Sequence, residues 1–143
     1  MTRALLDVNV LIALLDSDHT LHSVALDWFK EHAHEGWASC PITQNGCIRI
    51  MSNPSYPNAL PIQSVMKRLA GACEDDVHQF WSDDVSLLGS NTVDSTRIHG
   101  PRTLTDIYLL ALAVRCKGRF VTFDSGIPLA AVRKATANDI VVL

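Results

Sequence analysis

The chain opens with a short apolar run, Ala4 to Leu6, that closes on an acid, Asp7, and leads at once into a second apolar segment, Val10 to Leu15. So short a run is read as a strand buried on both faces, and Asn9 then offers a helix cap before Val10. A strand covered on both faces belongs in a parallel sheet lying between helices. The acid at its end constrains the chain further. A desolvated carboxylate is costly, so Asp7 must be satisfied by partners or belong to a site.

The same alternation recurs along the chain. Leu21, Val24, Ala25, Trp28 and Phe29 share one face of an amphipathic helix that Gly36 ends, and Trp37 to Cys40 form a second short strand. Pro41 suits the first turn of a helix running through Cys47, Ile48 and Met51, which Asn53-Pro54 and Tyr56-Pro57 interrupt. Ile62 to Cys73 has helical periodicity, and Val85 to Leu88 is predicted as a strand. A long helix runs from about Thr103 to Cys116, with Gly118 in the terminating position, before strands at Arg119 to Phe123 and Ile140 to Leu143. The expected architecture is α/β: a three-layer α/β/α fold with a mostly parallel central sheet, in a single domain over residues 1–143. At 143 residues and 48% hydrophobic content, the chain is large enough to bury a full core.

Other classes are disfavoured. The longest apolar run, Ile107 to Val114, is far short of the roughly 18 to 20 residues that cross a bilayer, and Asp7 and Asn9 interrupt what would be a signal peptide's apolar region. No membrane association and a cytoplasmic location are the expectation. The four cysteines, Cys40, Cys47, Cys73 and Cys116, include no C-x-x-C pair and are read as buried reduced thiols. The net charge of −3 gives no global attraction to phosphate, so any nucleic-acid binding needs a local basic surface.

Ligands of such sheets collect beyond the carboxyl ends of the strands, and Asp7 and Asp124 both stand at predicted strand ends. Asp106, in the first turn of the long helix, reaches the same rim if that helix starts there. Three carboxylates without a sequence-local cation repel one another unless a metal neutralises them, and oxygen-rich sites suit Mg²⁺ or Mn²⁺. Metal-assisted phosphodiester cleavage is the natural chemistry of such a set. Local readings also stand: Asp106 can complete a capping box with Thr103, and Asp124, preceding Ser125-Gly126, can form a turn.

Leu5-Leu6-Asp7-Val8-Asn9-Val10-Leu11, Cys40-Pro41-Ile42-Thr43-Gln44-Asn45-Gly46 with Arg49-Ile50, and Phe80-Trp81 with Asp84-Val85-Ser86-Leu87-Leu88 occur in that order. Thr105-Asp106, Leu109-Leu110-Ala111-Leu112-Ala113 and Phe120-Val121-Thr122-Phe123-Asp124 follow. In order and spacing the chain resembles the PIN-domain ribonucleases, specifically the VapC toxins of bacterial toxin–antitoxin systems. The resemblance implies a small α/β/α fold in which Asp7, Asp106 and Asp124 form an acidic metal site that cuts RNA, with Mg²⁺, or Mn²⁺ as the alternative, as cofactor. It implies tRNA or rRNA as substrate, a homodimer and a cognate VapB-type antitoxin. It also places Asn9 and Thr122 where polar side chains orient the first acid; independently, Asn9 can cap its helix and Thr122 can favour a strand.

One position departs from the pattern. Gln44 stands where the family usually has glutamate, and a neutral amide offers a carbonyl oxygen but serves as neither anionic ligand nor base. A catalytically weakened PIN module that binds RNA or antitoxin is therefore the alternative function. A haloacid-dehalogenase-like phosphatase is a weaker one, because it needs an aspartate where Asn9 stands. Arg97 and Arg102, with His99 between them, lie in a loop able to reach RNA phosphate or simply to be solvated. His19, His22, His32 and His34 are read as surface residues, and Trp28 and Phe29 as core or dimer contacts.

Overall fold

The computed structural model describes residues 2–143. Strand β1 (Ala4–Leu6) leads into helix α1 (Val8–Leu15), followed by α2 (His22–His32), β2 (Trp37–Ser39), α3 (Pro41–Met51) and α4 (Ile62–Cys73). Then come β3 (His78–Phe80), α5 (Leu104–Arg115), β4 (Arg119–Thr122) and β5 (Ile140–Val142). The five strands form one parallel sheet in the order β3-β2-β1-β4-β5, so the fold is the three-layer α/β/α architecture. Among the described residues, no helix is long and apolar enough to cross a membrane.

Side-chain alternation along the strands divides the core into two layers. Leu5, Ala38 and Phe120 face one side and pack with Ile107, Leu109, Leu110 and Leu112 of α5. Leu6, Trp37 and Val121 face the other side and meet Val10 and Leu11 of α1, Cys47 of α3, and Val65 and Leu69 of α4. β1 is central and wholly buried, with Leu5 paired to Ala38 of β2 and Phe120 of β4. From β1 the chain builds outward to β2 and β3, then returns to add β4 and β5 on the other side. The gap between the carboxyl ends of β1 and β4 is thus the topological switch point, where parallel sheets open a crevice.

Several local expectations change. α1 starts at Val8, capped by Asp7, whose Oδ1 accepts the Val8 N–H at 2.7 Å; Asn9 lies inside the helix and caps nothing. An acid already at the strand end reaches the first free N–H of the helix before Asn9 can. The third strand is His78–Phe80, and Val85 to Leu88 form no ladder. Val85 and Leu87 pack against the α5-side core while Leu88 is 96% exposed in a turn, so alternating hydrophobicity there records partial burial of a loop that no strand pairs. All four cysteines are free; Cys40 and Cys47 are buried, but Cys116, past the last turn of α5, is exposed.

After α5 the left-handed residue is Lys117 (φ 56°), not Gly118. Gly118 is needed for a different reason: a Cβ there would lie 2.6 Å from the Arg3 carbonyl and from the Trp81 ring. Gly71, inside α4, has open space around it. Gly118→Ala should therefore lower stability by about 1–3 kcal/mol. Gly71→Ala should raise it by roughly 0.5 kcal/mol through helix propensity. Urea unfolding of both proteins checks the pair, and an unchanged midpoint for Gly118→Ala would show that the close approach does not constrain the turn.

Candidate active site

Three acids reach the switch point from three elements. Asp7 follows β1, Asp106 is the third residue of α5, and Asp124 lies two residues beyond β4. All three line one cleft of about 380 Å³, together with Asn9. Asp7 is only 6% exposed, and its carboxylate is held at both oxygens: Oδ1 by the Val8 N–H and Oδ2 by the Thr122 hydroxyl at 2.6 Å. Thr122 is fully buried, and its Oγ1 also accepts the N–H of Asp124 at 3.0 Å. One hydroxyl thus ties the end of β1 to the turn after β4.

The local alternatives for the acids can now be decided. Thr103 makes no side-chain cap to α5; its hydroxyl donates to the Gly100 carbonyl at 3.3 Å, so Asp106 belongs to no capping box. Asp124 does form a turn, since its Oδ1 accepts the Gly126 N–H at 2.7 Å, and it lines the cleft as well.

No lysine or arginine lines this cleft, and the ion pairs among the described residues, Arg115–Asp84, Arg119–Glu35 and Arg133–Asp94, involve none of the three acids. Burial raises the carboxyl pKa of Asp7 despite the Thr122 and Val8 hydrogen bonds that lower it. Asp106 is pushed up to about 7, first by burial, then by the charge of Asp7 and by a hydrogen bond to, and the charge of, Asp124. Among the described residues no three His, Cys, Asp or Glu side chains stand in a closed ligand set. The donors nevertheless fit a hard cation: three carboxylates without a counter-charge, and beside them the buried Asn9 Oδ1, which has no hydrogen-bond partner. Neutral oxygen and carboxylate donors of this kind suit a divalent ion better than a side-chain cation, which would need room for its stem.

Gln44 is in the second turn of α3, whose start is fixed by Pro41 and by the Thr43 hydroxyl accepting the Cys40 N–H at 3.0 Å. Its Nε2 donates to Ser39 Oγ at 3.0 Å, and Ser39 Oγ bonds His78 Nε2 at 2.8 Å. Gln44 is not among the residues lining the acid cleft. The anchored Nε2 leaves its carbonyl oxygen as the unpaired end of the amide. Arg97 and Arg102 do not line the cleft either. Arg102 borders a neighbouring cavity of about 430 Å³ with His99, Thr103 and Gly126, next to the Asp124 turn, and Arg97 is exposed one loop away.

Sequence reasoning missed the far wall of the cleft, which Ile12, His19, Ile50 and Tyr56 build. His19, expected at the surface, is half-buried there. No local spacing marks these residues, since they come from α1, the loop after it, α3 and the loop beyond α3. A larger cavity of about 520 Å³ lies between α1, α2 and α4, but leucines and Phe29 dominate its wall and none of the three acids reaches it.

With its carboxyl titrating near 7 when folded and near 3.8 when unfolded, Asp106 gives the folded state an extra proton between these values. Its contribution to metal-free stability is therefore complete below about pH 4 and lost as pH rises through about 7. Denaturant unfolding across this window should show Asp106→Asn gaining on the unsubstituted chain as pH rises. Parallel stability curves would mean that Asp106 is not perturbed.

Residues 4–134 match the PIN domain family. The chain is 50% identical over 141 residues to Ribonuclease VapC44 of Mycobacterium tuberculosis, covering 99% of each chain. It is 42% identical over 125 residues to Ribonuclease VapC39 of the same organism, covering 87% of this chain and 90% of the relative. To Ribonuclease VapC38 it is 39% identical over 142 residues, covering 98% and 99%.

Proposed function

The chain belongs to the PIN-domain family, among its VapC ribonucleases, and from that premise we propose that it is the RNA-cleaving toxin of a type II toxin–antitoxin pair. The observation that carries the chemistry is the gathering of Asp7, Asp106 and Asp124 in one cleft that no lysine or arginine lines. Asp7, Asp106 and Asp124 would hold a divalent ion, Mg²⁺ in the first place and Mn²⁺ as the alternative, because both prefer oxygen donors and keep open positions for phosphate. When bound, such an ion supplies activation of water and stabilisation of the leaving oxygen in phosphodiester hydrolysis.

The chain's own residues then divide the remaining work. Thr122 orients Asp7 and offsets part of the rise that burial imposes on its carboxyl pKa, since a donated hydrogen bond favours the charged form. Asn9 presents an amide oxygen beside the acids. Asp124 is fixed twice through its turn, by the Thr122 hydroxyl at its N–H and by Gly126 at its carboxylate, so it needs little reordering. Arg102, and Arg97 beyond it, would contact RNA phosphates on the flank nearest Asp124.

The protein acts as one domain over residues 1–143, as a homodimer in the cytoplasm, on tRNA or rRNA, and under control of a VapB-type antitoxin. One observation favours a second reading. With Gln44 neutral and its amide nitrogen bonded to Ser39, the site lacks a fourth negative charge, which suits a weakened PIN module that binds RNA or antitoxin.

Cleavage of structured RNA in Mg²⁺ or Mn²⁺ tests both. Asp7→Asn, Asp106→Asn and Asp124→Asn should each lower the rate by roughly a hundredfold or more while the fold persists. Gln44→Glu should tighten metal binding in calorimetric titration and raise the rate, because a carboxylate attracts a divalent ion more strongly than an amide. Equal affinities and rates would put residue 44 outside the ligand shell. Antitoxin binding by a protein that cuts no RNA, with or without Glu at 44, would favour the binding module.

A further inference from the structure

We propose that the end of the cleft away from the acids is a nucleobase subsite, in which Tyr56, Ile12, Ile50 and His19 receive one unpaired base beside the scissile phosphate. The proposal rests on the ribonuclease reading and names the form of RNA that this cleft accepts. The carboxylates and the far wall border one continuous cavity of about 380 Å³, so a strand placed against the acids must also fill that end.

The far wall cannot hold phosphate, because it contains neither lysine nor arginine and opens onto three carboxylates. Its surface is that of a stacking site instead. Ile12 is 4% exposed and rigidly packed in α1, and the Tyr56 ring is half-buried. Tyr56 is held from two sides: its hydroxyl donates to Asp16 Oδ2 at 2.5 Å, and its N–H donates to the Asn53 carbonyl at 2.8 Å. A ring fixed in this way loses little freedom when a base stacks on it.

His19 adds a polar group of defined character. Its Nδ1 accepts the Leu21 N–H at 3.0 Å, so the ring hydrogen is on Nε2, which is left as a donor for a base carbonyl or ring nitrogen. An aromatic face, two aliphatic side chains and one donor complement the faces and acceptor edge of a base. In a duplex those faces are stacked and that edge is paired, so only a base in a loop, bulge or end can enter. The cavity at Arg102 and His99 borders the Asp124 turn through Gly126, shares no lining residue with the Tyr56 and His19 wall, and suits the backbone. The strand would thus cross the acids with a base turned toward Tyr56 and phosphates turned toward Arg102.

The test compares fluorescein-labelled oligouridylate and oligoadenylate with an abasic ribose-phosphate chain of equal length, by fluorescence anisotropy in Ca²⁺. The abasic chain carries the same charge without bases. The full-length protein should bind at least one base-bearing oligomer about tenfold more tightly than the abasic chain, as a single base–aromatic stack allows. Tyr56→Leu and His19→Asn should each shrink that ratio without changing affinity for the abasic chain, whereas Tyr56→Phe should keep it. The asparagine oxygen can still accept the Leu21 N–H, while its amide nitrogen, on a shorter side chain, falls short of the place of His19 Nε2, so His19→Asn withdraws the donor from the base with least disturbance. No preference for bases, or a preference that both Tyr56→Leu and His19→Asn leave intact, overturns the subsite. Cleavage of the same oligomers in Mn²⁺ separates the two readings. Cleavage without base preference removes the subsite and keeps the nuclease, and base preference without cleavage does the reverse.

Discussion

The hydroxyl of Thr122 touches the two segments on which the acid cleft depends. It donates to Asp7 at the end of β1 and accepts from the backbone of Asp124 beyond β4, and it does so from a position with no solvent exposure. Without that donor, Asp7 would carry a buried carboxylate supported only by the Val8 N–H. The same bond sets the orientation of the acid, because Oδ1 is committed to the helix cap and Oδ2 to the hydroxyl. Parallel pairing of β1 with β4, with Leu6 opposite Val121, is what puts the threonine within reach of a residue 115 positions away in the chain. Fold and site are therefore linked through a single β-strand neighbour, and the strands need be only three or four residues long to achieve it.

Crowding of charge is the cost of that geometry. Asp106 is brought to the rim by α5, whose buried face of Ile107, Leu109, Leu110 and Leu112 fixes the helix against the sheet and leaves its first turn no freedom to withdraw. The repulsion is met by keeping the Asp106 carboxyl protonated to about pH 7 and hydrogen-bonded to Asp124. A divalent cation bound by the three acids would compete with that proton for the same oxygens. If the acids hold a divalent ion as proposed, loading it would release that proton, and affinity for the ion would rise with pH as a matter of linkage.

The sheet and its rim were readable from the sequence because they follow from short apolar runs and the acids that end them. Asp7 and Asp124 stood out for that reason, and helix α4 was legible to the residue because an exposed amphipathic helix carries its own periodicity. Three features resisted. The segment Val85 to Leu88 alternates like a strand, but alternation reports which side chains are buried and is silent about whether a neighbouring strand is present to pair with. Asn9 is as good a cap as Asp7 by composition; the choice depended on where β1 ends, which is set by pairing with β4. Tyr56 and His19 carried no signal at all, since a cleft wall assembled from separate loops has no period, and each looked like a turn or surface residue in its own neighbourhood.

A glutamate in place of Gln44, in the second turn of α3, would bring a fourth carboxylate toward a site where Asp106 already retains a proton near neutrality. The neutral amide removes that burden, and its nitrogen finds a partner in Ser39, itself tied to His78 on the edge strand β3. α3 can approach α1 closely there because residue 46 is glycine, with Val8 packed where a Cβ would be. The arrangement leaves the metal-free fold with one carboxylate fewer on α3, and on the proposed reading it would also weaken attraction for the cation. Whichever effect dominates under working conditions depends on the free concentration of divalent ions, because binding stabilises the folded chain only in proportion to the logarithm of that concentration over the dissociation constant. On the proposed reading, a chain with the amide would be less dependent on the ion for stability than one with glutamate, and its persistence would be less tied to its readiness to cut.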